Sequence, residues 1–397
     1  MSTEPDHKKS NLRQNDAGSH PLCGVSSVDA FTLIELLVSM AILVLIVAML
    51  ITMVNATSKT WKNTAGKIEE FRDARVAFDT ITRRLSQATL NTYLDYVTNS
   101  SGAPTDYIRQ SELRFLCGQL TNNASFGNQR TIFSSQLQTT NPSMAVFFQA
   151  PNGFTTNSTN SILQSALNTW GYFIEYGSDS NAVPSFLNPQ PTSRNRYRLM
   201  ELMEPTENLS IYNYTATNRS YTNVDWIANS MTLTSSRPAH VLAENVIALI
   251  ILPKLSPTDI TKWNNQGSNY SISSLTPDYF YDSSINSQTT IAGGGGAAVT
   301  DANLNTHNQL PPVVQVTMIA VDETSAIRFP SIYKNLYASN SSAGGINNLF
   351  NDNSSPTQFT NDLASLVTAF KKNKMNYRIF TTDVMIKGAK WSSSQKN

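Results

Sequence analysis

Cysteine is nearly absent, two residues in 397, at Cys23 and Cys117. If the first 30 residues are removed, Cys117 stands alone and no intramolecular disulfide can form. Within the apolar run ELRFLC it reads as a small buried hydrophobe. Charge is also scarce, at 14% of residues, and nearly balanced, with 29 Lys plus Arg against 28 Asp plus Glu. A chain so neutral has no electrostatic footprint for a polyanion, so no nucleic-acid partner is expected. Of the four histidines, His7 and His20 fall in the first 30 residues. His240 and His307 have no His, Cys or carboxylate beside them at ligand spacing, so no metal is expected. GxxxxGKS/T, HExxH, GxSxG and paired CxxC motifs are all missing, and the AGGGGAA run at 292–298 lacks the Lys-Ser/Thr of a phosphate loop and reads as a loop tip. Asp322 and Glu323 in VDET and Asp383 in TTDV read as turn and capping groups rather than a catalytic pair. Neither an enzyme activity nor a cofactor is expected.

Proline is missing from Leu22 through Ala103, so nothing there forbids one long helix. Residues 31–54, FTLIELLVSMAILVLIVAMLITMV, carry a single charge, Glu35. As a helix they extend about 36 Å at 1.5 Å per residue, enough to cross a hydrocarbon core of about 30 Å. The run exceeds the apolar core of a secretory signal peptide. It continues into an amphipathic half, residues 55–90, where Trp61, Ala65, Ile68, Phe71, Phe78, Ile81, Leu85 and Ala88 recur at spacings of three, four and seven as one expected apolar stripe. Lys62, Glu69, Arg72, Asp73, Asp79 and Arg83 fill the other faces, and the stripe is expected to pack on the chain's own domain. Residues 1–30, polar and aperiodic, read as an unstructured leader. Lys8, Lys9 and Arg13 favour a cytoplasmic leader, but Lys59, Lys62 and Lys67 beyond the run leave charge counting nearly undecided.

The acid is the informative residue. A carboxylate within a membrane span costs on the order of 2.5–3.5 kcal/mol on insertion scales, so such groups are usually paired and functional. The junction Ala30-Phe31 followed by TLIELLVSMAIL resembles the prepilin-type signal of type IV pilins and type II secretion pseudopilins. The resemblance implies that prepilin peptidase cuts between Ala30 and Phe31 and N-methylates Phe31, leaving Glu35 as the fifth mature residue. It also implies a single-pass inner-membrane protein with a periplasmic head, a leader that is cytoplasmic before cleavage, and other pseudopilins or pilin-like subunits as partners. Ala30 stands where the family usually has Gly, and the late helical Pro of many major pilins is absent, which favours a minor subunit. ARVAFDTITRRLSQATL, HVLAENVIALIILPKL and LPPVVQVTMIAVDE are similar to J-type minor pseudopilins. VDETSAIRF and NYRIFTTDVMIKGAKW are closer to the Verru_Chthon cassette protein C family of pilin-like proteins described for Verrucomicrobia. The calcium loop of major pseudopilins is not carried over, since the C-terminal tail supplies only Asp383. With the amine of Phe31 created by the cut, Glu35 becomes an assembly-register residue that meets a neighbouring subunit's amine. The alternative is a carboxyl that stays protonated.

Residues 91–397 are expected to form one β-rich head. Strands are predicted at 112–117, 130–135, 144–150, 170–177, 196–202, 243–252, 312–321 and 377–388, each β-branched or aromatic and bounded by Asn, Gly, Ser or Pro. TNDLASLVTAFKK predicts a helix capped at Thr360 or Asn361 with an apolar face of Leu363, Leu366, Val367 and Phe370, and a shorter helix is expected near SILQSALNTW. The fold class is α+β, a long N-terminal helix, transmembrane and then amphipathic, packed on an antiparallel β-sheet head with long loops, as in pilins. A structural subunit is the first functional expectation. The alternative is a membrane-tethered adhesin or carbohydrate-binding module using Tyr279, Tyr281 and Trp263.

Overall fold

The computed structural model describes residues 32–121, 131–133, 144–160, 162–163, 165–178, 186–187, 194–212, 225–231, 237–265, 275–276, 278–285, 305–329, 349–350 and 357–391. The leader, Ala30, Phe31 and the AGGGGAA run lie outside them. Mixed helix and sheet follow one N-terminal apolar helix, and the class is α+β. The chain divides into two compact units, one up to Lys62 and one from Asn63 onward.

Helix α1 (Leu33–Leu85) is unbroken over 53 residues, as the absence of proline allows. Its first part, Leu33–Lys62, is long and apolar enough to span a membrane, and none of it is buried. After Leu85 the amides of Gln87 and Ala88 fall back on carbonyls three residues earlier, and Thr89 N–H donates to Gln149 O at 3.0 Å, so the helix ends short of residue 90.

In the second unit, Ala74, Ala77, Phe78, Ile81 and Leu85 of α1 are buried. At about 100° per residue they occupy one arc of about 100°. The expected stripe divides here: Ile68 lies about 140° round from Ile81 on the same arithmetic, and both Ile68 and Trp61 are exposed. Repeated steps of three and seven drift around a straight helix, so one sequence pattern came to serve two faces.

A seven-stranded sheet runs β10 (Tyr281–Asp282), β3 (Leu116–Thr121), β5 (Met144–Pro151), β6 (Leu167–Ser178), β7 (Asn195–Glu204) and β8 (Ala239–Glu244), with β4 (Thr131–Phe133) beside β3. All its pairings are antiparallel except β3 with β4. A second antiparallel sheet holds β12 (Tyr377–Met385), β11 (Val313–Val321) and β9 (Val246–Lys254). The larger sheet is covered on both sides. Val146, Phe148, Tyr172 and Leu199 face the core shared with α1 and the second sheet, while Ala145, Phe147, Phe173, Met200 and Leu202 face Trp226 and Ile227 of α2 (Asp225–Met231). Burial on both faces explains why MAVFFQA is apolar without alternation. Phe78 of α1 reaches the second sheet at Phe380, ring centroids 5.7 Å apart. Cys117 is fully buried, and burial pushes its thiol pKa far up.

The remaining elements are α3 (Pro257–Asn265), α4 (323–329), α5 (Gln358–Lys372) and a separate hairpin of β1 (Tyr93–Thr98) with β2 (Pro104–Gln110). α5 is capped at Thr357, three residues before the earlier of the expected caps, and buries Leu366 and Phe370. Three other expectations change. The run at 243–252 is not one strand: Asn245, at φ 58°, passes the chain from β8 in one sheet to β9 in the other, and its amide donates to Tyr197 O. Asn tolerates this left-handed conformation better than its β-branched neighbours do. At 112–115 no strand forms, because Arg114 N–H is taken by Gln149 Oε1 and Phe115 N–H by Ser283 Oγ. LNTW, expected to be helical, opens β6 by pairing with β5 from Pro151 to Phe148.

Gly171 of β6 lies directly opposite Phe147 of β5. A Cβ there would lie 2.5 Å from the Phe147 ring and 3.2 Å from Leu202 Cβ. Gly171→Ala is therefore expected to destabilise the head by about 1–3 kcal/mol through overpacking, read as a lower urea midpoint at unchanged slope.

Candidate functional site

The first turn of α1 carries the acid, and its geometry is reciprocal. Thr32 N–H and Thr32 Oγ–H both donate to Glu35 Oε2, at 3.2 and 3.1 Å, and Glu35 N–H points at Thr32 Oγ1 at 3.4 Å. Thr32 carbonyl accepts from Leu36 N–H at 3.2 Å. This is a capping box, T-x-x-E, in which a threonine and a glutamate satisfy each other's exposed amides. In a helix that spans a membrane such a cap would matter more than on a soluble one, because unsatisfied backbone donors in hydrocarbon cost several kcal/mol each. Other polar side chains of the span also return to the helix: Ser39 to Leu36 O at 2.9 Å, Thr52 to Met49 O at 2.7 Å, Thr57 to Met53 O at 2.8 Å and Thr60 to Ala56 O at 2.9 Å.

Of the three residues singled out in the sequence, Ala30 and Phe31 lie outside the described residues, and Glu35 is exposed. The carboxylate folds back toward the helix start and lies against the peptide nitrogen that joins Phe31 to Thr32. The sequence reading named the amine and missed Thr32, although TLIE carries the cap signature.

A second polar cluster fixes the far end of the helix. Tyr172, Glu201 and His240 are directly opposite one another across β6, β7 and β8, and form a row facing Arg84 of the last turn of α1. Glu201, only 3% exposed, is ion-paired with Arg84, accepts from Tyr172 O–H at 2.8 Å and lies 2.8 Å from His240 Nε2. Arg84 stacks over Trp170 with its guanidinium carbon 3.9 Å from the ring centroid, a cation–π contact. Burial pulls the Arg84 pKa down, but guanidinium stays charged in proteins. Burial, then repulsion from Arg84, holds His240 below its usual range, so at neutral pH the imidazole is neutral and donates Nε2–H to the carboxylate. Sequence spacing gave His240 no carboxylate neighbour; strand register supplies one. Among the described residues no group of three or more His, Cys, Asp or Glu is arranged to hold a metal ion.

An imidazole depressed on folding makes stability pH-dependent. As pH falls, the unfolded chain's His240 binds its proton first, near 6.5, and so draws the chain toward the unfolded state. Stability contributed by neutral His240 is full above pH 6.5 and declines as the pH falls below it. His307, also depressed by burial, acts in the same direction, whereas Glu204, raised by burial, has the opposite slope above pH 4.5. The imidazole is isolated by comparison: between pH 7 and 5, wild type is expected to lose more of its urea midpoint than His240→Gln. Equal losses would exclude His240 as a source.

The remaining candidates resolve into structural roles. Asp322 caps α4 through Ser325 N–H at 3.0 Å and accepts from Asn376 Nδ2 at 2.8 Å. Glu323 binds Arg196 at 2.7 Å, and Asp383 lies 3.4 Å from Lys254 Nζ. Tyr279 and Tyr281, which only the adhesin alternative needs exposed, are completely buried, and Tyr281 O–H donates to Gln309 O at 2.8 Å. They present no ring to a ligand. No protein-family model, curated protein or solved structure matches the chain.

Proposed function

We propose that the chain is a structural pilin-like subunit of the minor pseudopilin kind, with prepilin peptidase removing residues 1–30 and N-methylating Phe31. The helix then joins parallel helices of partner subunits in a type II secretion or type IV pilus-like filament, held in the inner membrane with the head in the periplasm. The observation that carries this reading is the continuity of α1. One helix begins in an uncovered span of membrane length, starts at a glutamate-containing cap four residues from the junction, and runs on to Leu85 in the core of a head. Ser39, Thr52 and Thr57 return their hydroxyls to helix carbonyls, which suits a helix facing lipid first and other helices later.

Co-expression with an active and an inactivated prepilin peptidase tests the reading. With the active enzyme the membrane-bound chain is expected to lose its first 30 residues, and with the inactive one to keep them. Retention of the leader in both would defeat it.

A further inference from the structure

The hairpin β1–β2 is exposed on nearly its whole length, and it belongs to neither larger sheet. A two-stranded hairpin on its own is marginal in water. Its register puts Tyr96 directly opposite Tyr107, with ring centroids 4.9 Å apart, and Leu94 shares their face. Leu94 is 69% exposed, Tyr96 55% and Tyr107 58%. Each tyrosine follows an aspartate whose carboxylate accepts that tyrosine's own amide: Tyr96 N–H to Asp95 Oδ1 and Tyr107 N–H to Asp106 Oδ1, both at 2.8 Å. These carboxylates occupy amides that an added strand would need, a device that blunts edges against strand pairing. The aromatic face stays open, and the exposed Asp95 and Asp106 carboxylates lie at the strand edges against the amides they accept. The hairpin's own cation, Arg109, turns to Gln309 and the Lys390 carbonyl.

The complementary surface is on the same chain. Ile68, Arg72, Arg75, Val76, Asp79 and Arg83 of α1 lie within about 100° of arc, opposite the buried residues. Ile68 is 64% and Val76 59% exposed. Arg72 and Arg83 are exposed and make no ion pair among the described residues, while Arg75 shares Asp79 at 3.9 Å. The stripe is cationic with two aliphatic side chains between its arginines; the hairpin presents two rings and a leucine on one face, with two carboxylates at its strand edges.

Resting on the assembly reading above, we infer that the Tyr96/Tyr107 face of one copy docks on the Ile68–Arg83 stripe of a second copy, the arginines lying over the rings and the edge carboxylates Asp95 and Asp106 supplying the opposite charge. Guanidinium over tyrosine adds cation–π attraction to that charge complementarity. The two surfaces differ, so the contact is head-to-tail and propagates instead of closing into a two-fold dimer.

The full chain in detergent micelles, followed by sedimentation across a concentration series, tests the contact. Wild type is expected to grow in mass with concentration and to shift to smaller species as salt rises. Tyr96→Ser/Tyr107→Ser and Arg72→Ala/Arg83→Ala are each expected to require at least tenfold more protein to associate. An equimolar mixture of the two is expected to stop at a one-to-one pair, because one good hairpin meets one good stripe. Asp95→Asn/Asp106→Asn keeps the ring pair, so its folding is secure, and is expected to associate more weakly and without the salt response. A monomer at all concentrations, a dimer that does not grow, or a mixture that does not pair would each overturn the inference. Processing is read separately: an uncut chain that still forms the series overturns the pilin-like reading and keeps this contact, and a cut chain that stays monomeric does the reverse.

Discussion

Glu35→Gln is expected to insert normally and fail to assemble, whereas Glu35→Ala loses its helix cap as well. The contrast separates the capping contact of this carboxylate from its proposed role in assembly. Gln at the third helical position still accepts the Thr32 amide and hydroxyl that Glu35 now binds. Ala removes that acceptor, at a cost of about 0.5–2 kcal/mol to the helix start. Neither variant has a charge to pair with an amine. Truncating one partner of a desolvated charge pair costs about 2–5 kcal/mol, so recovery with partner subunits should fall by at least about thirtyfold in both. Carbonate extraction reads insertion, and affinity recovery of tagged subunits reads assembly. If Glu35→Gln assembles like wild type, capping is the residue's whole role and the register idea is wrong.

At the other end of the helix, Arg84→Ala is expected to cost the head about 3 kcal/mol, the lower end of the range for breaking a buried ion pair, since the Arg84 side chain is 25% exposed. The loss exceeds that of an ordinary surface pair because Glu201 would keep a buried charge with only Tyr172 and His240 against it. Removing both charges in Arg84→Met/Glu201→Met should be less damaging than Arg84→Ala alone, because no charge is then stranded. Urea titration of the full chain in detergent measures all three. A loss below about 1 kcal/mol for Arg84→Ala would place the pair among the weak surface bridges and leave α1 held by its buried apolar residues, Ala74, Ala77, Phe78, Ile81 and Leu85.

How much was legible follows from which interactions are local. The long helix was readable from a missing proline and an unbroken apolar run, and β5, β6, β7 and β11 from apolar runs that burial on two faces requires. The change of sheet at Asn245 was hidden because the runs on either side of it are both apolar. The hairpin was missed because YLDYVT and PTDYIRQ have aspartates and a proline where a strand pattern would have alternation. The helix cap was visible in TLIE but masked by the stronger question of why an acid lies in the span. The Arg84–Glu201–His240 cluster had no sequence signature, since its members are separated by 117 positions along the chain or meet through strand register. The drift of the amphipathic stripe could have been computed from 3.6 residues per turn, and would have shown Ile68 on a different face from Ile81.

The central claim is that residues 31–85 are a processed, pilin-like assembly helix. Mass spectrometry of the N-terminus, on protein extracted from membranes of cells with active prepilin peptidase, tests it most directly. A mature end at N-methylated Phe31, with Glu35 the fifth residue, is the expected result. A chain still beginning at Met1, or one beginning beyond Val54, would contradict it.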